Sequence, residues 1–249
     1  MQNKNLEKNF IGIMPMAGEG LRFKKHGYVL PKPLIKINNT PMFLKAAKSF
    51  PKNLGWVFVT NKSIAINYNI IEKSKKEKKN IFLFLKKKTQ GQASTVYKSL
   101  KYINKMKTVI VHSCDLSFKL NFNFLKKKII ENDLLVFTSK GTNYQFKNHK
   151  HFSWVKNSQN RCEISLKKKF SKNNNAKVLI GTFVFKNKKI LKNLLEYTFK
   201  KKMKINNEYY MDTLMLVANK LGYKISEFVV DKYVSWGSHK EFLNYKKND

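Results

Sequence analysis

Arginine is almost absent from this chain of 249 residues, with Arg22 and Arg161 standing against 49 lysines. Acids are scarce as well: 15 Asp and Glu oppose 51 Lys and Arg, for a formal net charge of +36. A charge of that size ordinarily points to a nucleic-acid partner. Nucleic-acid readers, however, lean on arginine for bidentate contacts to guanine and phosphate, which lysine cannot make. Beside the many asparagines, the lysine excess reads as compositional bias, and no specific nucleic-acid partner is expected. Cysteine is reduced to Cys114 and Cys162, which excludes a disulfide framework and, with five scattered histidines, a structural zinc site. Long apolar runs are also lacking. The run Phe10 to Met14 is stopped by Pro15, too soon for a signal-peptide core, and nothing approaches the roughly 20 apolar residues of a membrane span. These absences predict a soluble, cytoplasmic protein with no membrane partner.

What is present is enough apolar material, 42% of residues, to build a core. Short Ile-, Val- and Phe-rich runs alternate with helical patterns, the signature of an α/β sheet. Strands are expected over 10–14, 56–60, 81–85, 108–112 and 134–139, several of them continuously apolar as sheets covered on both faces require. Helices are expected over 42–50, 62–78, 92–104 and 122–131, with Ala93, Val96, Leu100 and Ile103 recurring at helical spacing. The second half changes character. Residues 151–170 read as strand, Asn-rich turn and strand, and 177–185 as a strand containing Gly181. Helices follow over 187–203 and 208–221, then a strand over 224–230 and a helix over 238–246; 171–175 is a loop. One α/β domain spanning 1–249 fits, with one half at about 9–140 and an inserted, partly antiparallel half at about 141–249.

The segment that carries chemistry is 10–35. A strand runs into Ala17-Gly18-Glu19-Gly20, then Arg22, then Pro31-Lys32-Pro33-Leu34. Glycines directly after a buried parallel strand let backbone N–H groups approach a phosphate. The arginine adds a charge able to neutralise polyphosphate, and the lysine between prolines is a cation on a rigid stem. No Gly-Lys-Ser/Thr follows, so this is no Walker A loop, and the third glycine of the dinucleotide fingerprint is missing. Taken alone, the loop is also compatible with a plain strand–loop connection.

The ordered set of motifs resembles the sugar-phosphate nucleotidyltransferases (nucleotide-sugar pyrophosphorylases), in a branch associated with surface-polysaccharide synthesis. Gly18-x-Gly20-x-Arg22 with Pro31-Lys32-Pro33-Leu34 is the most specific part. Thr89-Gln90-Gly91-Gln92, the strand ending Ser113-Cys114-Asp115, Asn207-Glu208-Tyr209-Tyr210 and Trp236-Gly237-Ser238 match later motifs in the right order. The resemblance implies a Rossmann-like, mostly parallel sheet flanked by helices, with an inserted sugar-binding half. It also implies condensation of an NTP with a sugar 1-phosphate by in-line attack on the α-phosphorus, releasing pyrophosphate. Such catalysis is positioning plus charge neutralisation.

Carried over residue by residue, Ala17, Gly18, Glu19 and Gly20 would hold the triphosphate, with Arg22 on the leaving pyrophosphate and Lys32 on the α-phosphate. Gln90 and Gly91 would meet the base. Lys168, Gly181 and Glu208 would bind the sugar phosphate, and Asp115 would hold Mg²⁺. The sequence departs from the family in two places. Lys167 stands where the sugar pocket usually has a glutamate. Where many members place a second metal-binding aspartate, this chain reads Ser235-Trp236-Gly237-Ser238, leaving Asp231 and Glu208 as candidates. The sugar, the base and a homo-oligomeric state are left open. A cytidylyltransferase acting on a non-sugar phosphate such as phosphocholine is the alternative. Also weighed are a basic nucleic-acid-binding protein and a nucleotide binder without turnover.

Overall fold

A computed structural model describes residues 9–62, 80–158, 161–168, 170 and 175–248. Strand β1 (Phe10–Pro15) leads into the short helix α1 (Leu21–Lys24), a 3₁₀ turn at Lys32–Leu34, the hairpin β2 (Lys36–Ile37) and β3 (Thr40–Pro41), and α2 (Met42–Ala47). Then come β4 (Gly55–Asn61), β5 (Ile81–Leu85), α3 (Gln92–Ser99), β6 (Thr108–His112), β7 (Leu116–Lys119), α4 (Phe122–Ile130) and β8 (Leu134–Ser139). The second half holds α5 (Asn143–Lys147), β9 (Trp154–Ser158), β10 (Arg161–Ser165), β11 (Lys177–Phe185) and α6 (Lys188–Lys200). It closes with α7 (Met211–Lys220), β12 (Ile225–Val229), β13 (Asp231–Ser235) and α8 (His239–Asn248).

The main sheet runs β5–β4–β1–β6 in parallel, as βαβ crossovers demand. Antiparallel β11 then joins β6 to β8, which carries parallel β12, and the β9–β10 hairpin extends the start of β11. The sheet is thus a Rossmann-like α/β core with an antiparallel insertion, flanked by helices. Side chains alternate along each strand and so sort the core onto two faces. Met14, Trp56, Phe58, Ile110 and Phe137 face α2, α4 and α8 in a largely aromatic layer. Ile13, Val57, Val59, Val109 and Val111 face α3, α6 and α7 in a largely aliphatic one.

The expected strands all form. The helix expected over 62–78 and the loop over 171–175 lie almost wholly outside the described residues. Helix α3 is shorter than its periodicity implies and tightens into a 3₁₀ turn at Leu100–Tyr102. Helix α7 starts at Met211 rather than 208, because Tyr210 is extended and Tyr209 is tied to the turn before α3: its N–H donates to Gln90 O at 2.8 Å and its carbonyl accepts from Ala93 N at 2.9 Å. The hairpin of β2 and β3 escapes the sequence patterns, as do two further features. One is α5, started by a capping box in which Thr142 and Gln145 bond reciprocally. The other is an antiparallel ribbon of β7 and β13, whose partners lie far apart in the chain.

Candidate active site

The parallel strands bring the C-terminal ends of β1, β4 and β6 to one edge, where open α/β sheets bind ligands. The loop Ala17–Gly20 leaves β1 there. Its start is fixed by Met16 N donating to Val59 O at 2.8 Å and by Asn61 Nδ2 reaching Ala17 O at 3.4 Å. Gly20 closes the loop in a left-handed conformation against the Lys32 stem. Glu19 points sideways to Lys88 at 3.0 Å, which draws its carboxyl below the ordinary value; both groups are exposed, so the pair adds little stability. Arg22 stands exposed on α1, and its charge is felt by the Tyr210 hydroxyl across the cleft.

The 3₁₀ turn aims Lys32 inward. Its Nζ donates to Asp115 Oδ2 at 2.6 Å and to Gly237 O at 2.8 Å, and lies 5.2 Å from the Phe23 ring centre. Asp115 follows β6 by three residues, and its carbonyl accepts Trp236 N at 2.7 Å, which locks the end of β6 to the end of β13. Burial pushes the Asp115 carboxyl upward, but the Lys32 charge and hydrogen bond outweigh it and hold the group below its ordinary value. Neighbouring Cys114 is the converse case: burial first, then Asp115, push its thiol up to about 12, so it is no nucleophile. His112 is buried, with Nε2 against Ala46 O at 3.1 Å and Nδ1 against Thr182 Oγ1 at 2.8 Å. A carbonyl can only accept, so the proton sits on Nε2, and burial lowers the ring to about 4. It is a structural neutral histidine.

Gln90 and Gly91 follow Lys88, which pairs with Glu19 of the Ala17–Gly20 loop. Gly91 (φ +109°) allows the close approach of Tyr209, whose backbone N and O would lie 2.7 Å from any Cβ there. Beside Gln90 opens a pocket of about 540 Å³ walled by Lys86, Lys87, Lys88 and Lys98. Glu208 is exposed, and after burial its carboxylate is the main group that raises the Tyr210 hydroxyl. Gly181 interrupts the β11–β8 register and accepts Ser113 N at 3.2 Å. Lys168 is exposed, whereas Lys167 turns inward: its ammonium lies 5.3 Å from the Tyr210 ring centre, 3.9 Å from Asp212 Oδ2, and donates to His151 O at 3.1 Å. Asp212 in turn accepts the Ser153 hydroxyl at 2.6 Å.

The structure does not bring Asp231 to Asp115. Asp231 pairs with Lys119 at one end of the ribbon and is exposed, while Ser235 pairs with Leu116 beside Asp115 at the other. At roughly 3.3 Å per residue the two acids are separated by the length of a strand, so they cannot share an ion. Instead, Gly237 is ringed by oxygens: a Cβ there would lie 3.3 Å from Ser235 Oγ, 3.5 Å from Glu241 Oε2 and 3.7 Å from Asp115 Oδ2. Glu241 went unnoticed in the sequence, although Ser238-x-x-Glu241 is a capping-box spacing. Among the described residues, no three His, Cys, Asp or Glu side chains form a ready-made metal cluster. A small oxygen-lined hollow with one or two carboxylates nevertheless suits Mg²⁺, which keeps waters and takes its other ligands from phosphates. Among the described residues, no helix is long and apolar enough to cross a membrane.

No curated protein matches the sequence significantly. Solved structures do match in fold. The nucleoside-diphosphate-sugar pyrophosphorylase from Vibrio cholerae RC9 superposes with a TM-score of 0.80 at 18% identity, covering 95% of this chain and all of that one. The inositol-1-phosphate CTP transferase from T. maritima gives 0.69 at 16% identity, over 92% of this chain and 90% of that one. The UDP-glucose pyrophosphorylase from Acinetobacter baumanii gives 0.70 at 14%, over 94% and 91%. The family model described as nucleotidyl transferase matches residues 11–244, nearly the whole chain. The chain therefore belongs to the nucleotidyl transferase family and is a nucleotidyltransferase.

Proposed function

We propose that this nucleotidyltransferase condenses an NTP with a sugar 1-phosphate, giving an NDP-sugar and pyrophosphate for surface-polysaccharide synthesis in the cytoplasm. The observation that carries the reading is the Lys32–Asp115 pair, set at the ligand-binding edge directly beneath the Ala17–Gly20 loop. An acceptor phosphate oxygen attacks the α-phosphorus. The new P–O bond forms as the bond to the bridging oxygen breaks, and pyrophosphate leaves with that electron pair. Backbone N–H groups of Ala17 to Gly20 cradle the triphosphate, Arg22 meets the charge that develops on the leaving group, and Lys32 meets the α-phosphate. Gln90 and Gly91 receive the base. Glu208, Gly181 and Lys168 line the acceptor side, joined by Lys167. Asp115 would hold Mg²⁺, which supplies further neutralisation of the phosphate oxygens.

The ammonium over Tyr210 disfavours an acceptor with a fixed positive charge, so a sugar phosphate is preferred to phosphocholine. A pyrophosphate-release screen of the four common NTPs against sugar 1-phosphates, with phosphocholine included, tests the reading. Release with an NTP and a sugar 1-phosphate is expected. Release with phosphocholine alone transfers the assignment to the cytidylyltransferase reading, and none with any pair removes the turnover.

A further inference from the structure

Beside Lys167 opens a second cavity, of about 410 Å³, lined by His149, Lys150, Lys167 and Lys168. That volume lies within the roughly 300–1,000 Å³ of small-molecule sites. Among the described residues, none that lines it is acidic, so three ammonium groups border one space without a counter-charge in its walls. Like charges gathered in this way repel one another, and an anion set among them relieves the repulsion. The nearby acid, Asp212, stands 3.9 Å from the Lys167 ammonium and already accepts the Ser153 hydroxyl at 2.6 Å. Among the described residues, neither Lys150 nor Lys168 has an ion pair.

The walls are held in place from both sides. His149 and Lys150 form the 3₁₀ turn after α5, a segment started by the Thr142–Gln145 capping box and tied down where Trp154 Nε1 donates to His149 O at 3.3 Å. Lys167 closes the cavity from the end of β10. Its left-handed backbone (φ +54°) turns the side chain inward, and its Nζ donates to His151 O at 3.1 Å, which joins the two walls. The same ammonium lies 5.3 Å from the Tyr210 ring centre, and the charges of Glu208 and Arg22 reach the Tyr210 hydroxyl. Tyr210 thus connects the cavity to the cleft that holds Arg22.

Arg22, Lys32 and Asp115, which meet the reacting phosphates in the reaction assigned above, do not line this cavity. An anion that fills it is therefore a group other than the attacking phosphate. We propose that the acceptor is a sugar 1-phosphate bearing a second acidic group, a carboxylate or a further phosphate, and that this cavity binds that group while the 1-phosphate attacks. The inference rests on the sugar 1-phosphate reading of the site.

The test compares three acceptors that differ in one group: glucose 1-phosphate, glucuronic acid 1-phosphate and glucose 1,6-bisphosphate. Pyrophosphate release by the full chain is measured for each with the four common NTPs, and binding of each by calorimetry. An acid-bearing acceptor should exceed glucose 1-phosphate at least about tenfold in kcat/KM, glucuronic acid 1-phosphate if the group is a carboxylate and the bisphosphate if it is a phosphate. Read as a ratio within each variant, this preference should fall to about threefold or less in Lys150→Gln and in Lys167→Gln. It should stay within about twofold of wild type in Lys127→Gln, which removes an exposed ammonium on α4. Lys150 is exposed, so Lys150→Gln is expected to fold even if Lys167→Gln does not. Equal kcat/KM for all three acceptors overturns the proposal and leaves the nucleotidyltransferase reaction standing. A preference that survives in both cavity variants, or that falls equally in Lys127→Gln, also overturns it. Release with none of the three removes the reaction from these acceptors, and calorimetry then decides the cavity. Binding of an acid-bearing acceptor about tenfold tighter, lost in Lys150→Gln, supports the proposal there, and equal or absent binding overturns it.

Discussion

Lys32 and Asp115 are 83 positions apart in the chain, yet their charged atoms meet at 2.6 Å with side chains only 15% and 26% exposed. Lys32 holds the Asp115 carboxyl ionised in a partly buried place. Lys32→Met is therefore expected to cost about 2 kcal/mol at neutral pH, and to lower turnover by roughly 10²–10³-fold. Because the folded Asp115 carboxyl is depressed, the pair's contribution is present above the unfolded carboxylate value of about 3.9 and is lost as pH falls below it. Chemical denaturation of wild type and variant from pH 7 to 3 checks this: the stability gap should shrink on acidification. A constant gap would mean that the charge of Asp115 is not what Lys32 stabilises.

Arg22 separates chemistry from folding. It is exposed on α1, with no ion pair among the described residues, so Arg22→Ala should melt within a degree or two of wild type. Turnover should fall roughly 10²–10³-fold, the scale of one lost charge on a transition state. Steady-state kinetics decides: near-normal kcat would return Arg22 to the surface.

His112 sets an acid limit on stability. Burial lowers the ring from 6.5 to about 4, so the unfolded chain takes up the proton first as pH drops. Stability from this group is complete above the unfolded value and is lost between pH 6.5 and 4, by roughly 3 kcal/mol at 1.36 per pH unit. His112→Asn should be less stable at pH 7 and show a flatter profile over that window. Parallel wild-type and variant profiles would place the ring's proton uptake elsewhere.

Gly91 is irreplaceable for two independent reasons, a φ of +109° and a 2.7 Å approach to both backbone polar atoms of Tyr209. Gly91→Ala should cost more than about 2 kcal/mol and raise KM for the nucleotide. A stable variant with unchanged KM would detach this turn from base binding.

The lysine excess should bind nucleic acid weakly. The runs of lysine, such as 86–88 beside Gln90, attract any polyanion by counterion release. Filter binding with duplex DNA and single-stranded RNA should show no sequence preference and a steep loss of affinity between roughly 50 and 200 mM salt. Selective binding at physiological salt would make nucleic acid a partner in its own right.

The strands were legible because Ile, Val and Phe crowd where both faces of a sheet are covered, and the turn after β1 because glycine spacing is local. What escaped was set by distant partners. The ribbon of β7 and β13 exists only because Leu116 and Ser235 meet in space, and DKYVS alone carries no strong strand pattern. Asp231 looked eligible for the metal by its place in the sequence. The antiparallel register sends it to the far end of the ribbon, away from Asp115. Lys167 rather than Lys168 turns inward because Lys167 adopts a left-handed backbone (φ +54°), a choice that a run of identical side chains conceals.

The two bonds that tie Tyr209 to Gln90 and Ala93 also limit how the cleft can move. The turn at Gln90 and Gly91 and the segment that leads to Tyr210 share a backbone ladder, so neither can swing as a separate flap without breaking both bonds, at about 1 kcal/mol each. Displacement of one segment is transmitted to the other. By thermodynamic reciprocity, whatever the nucleotide does to acceptor affinity the acceptor must do equally to nucleotide affinity.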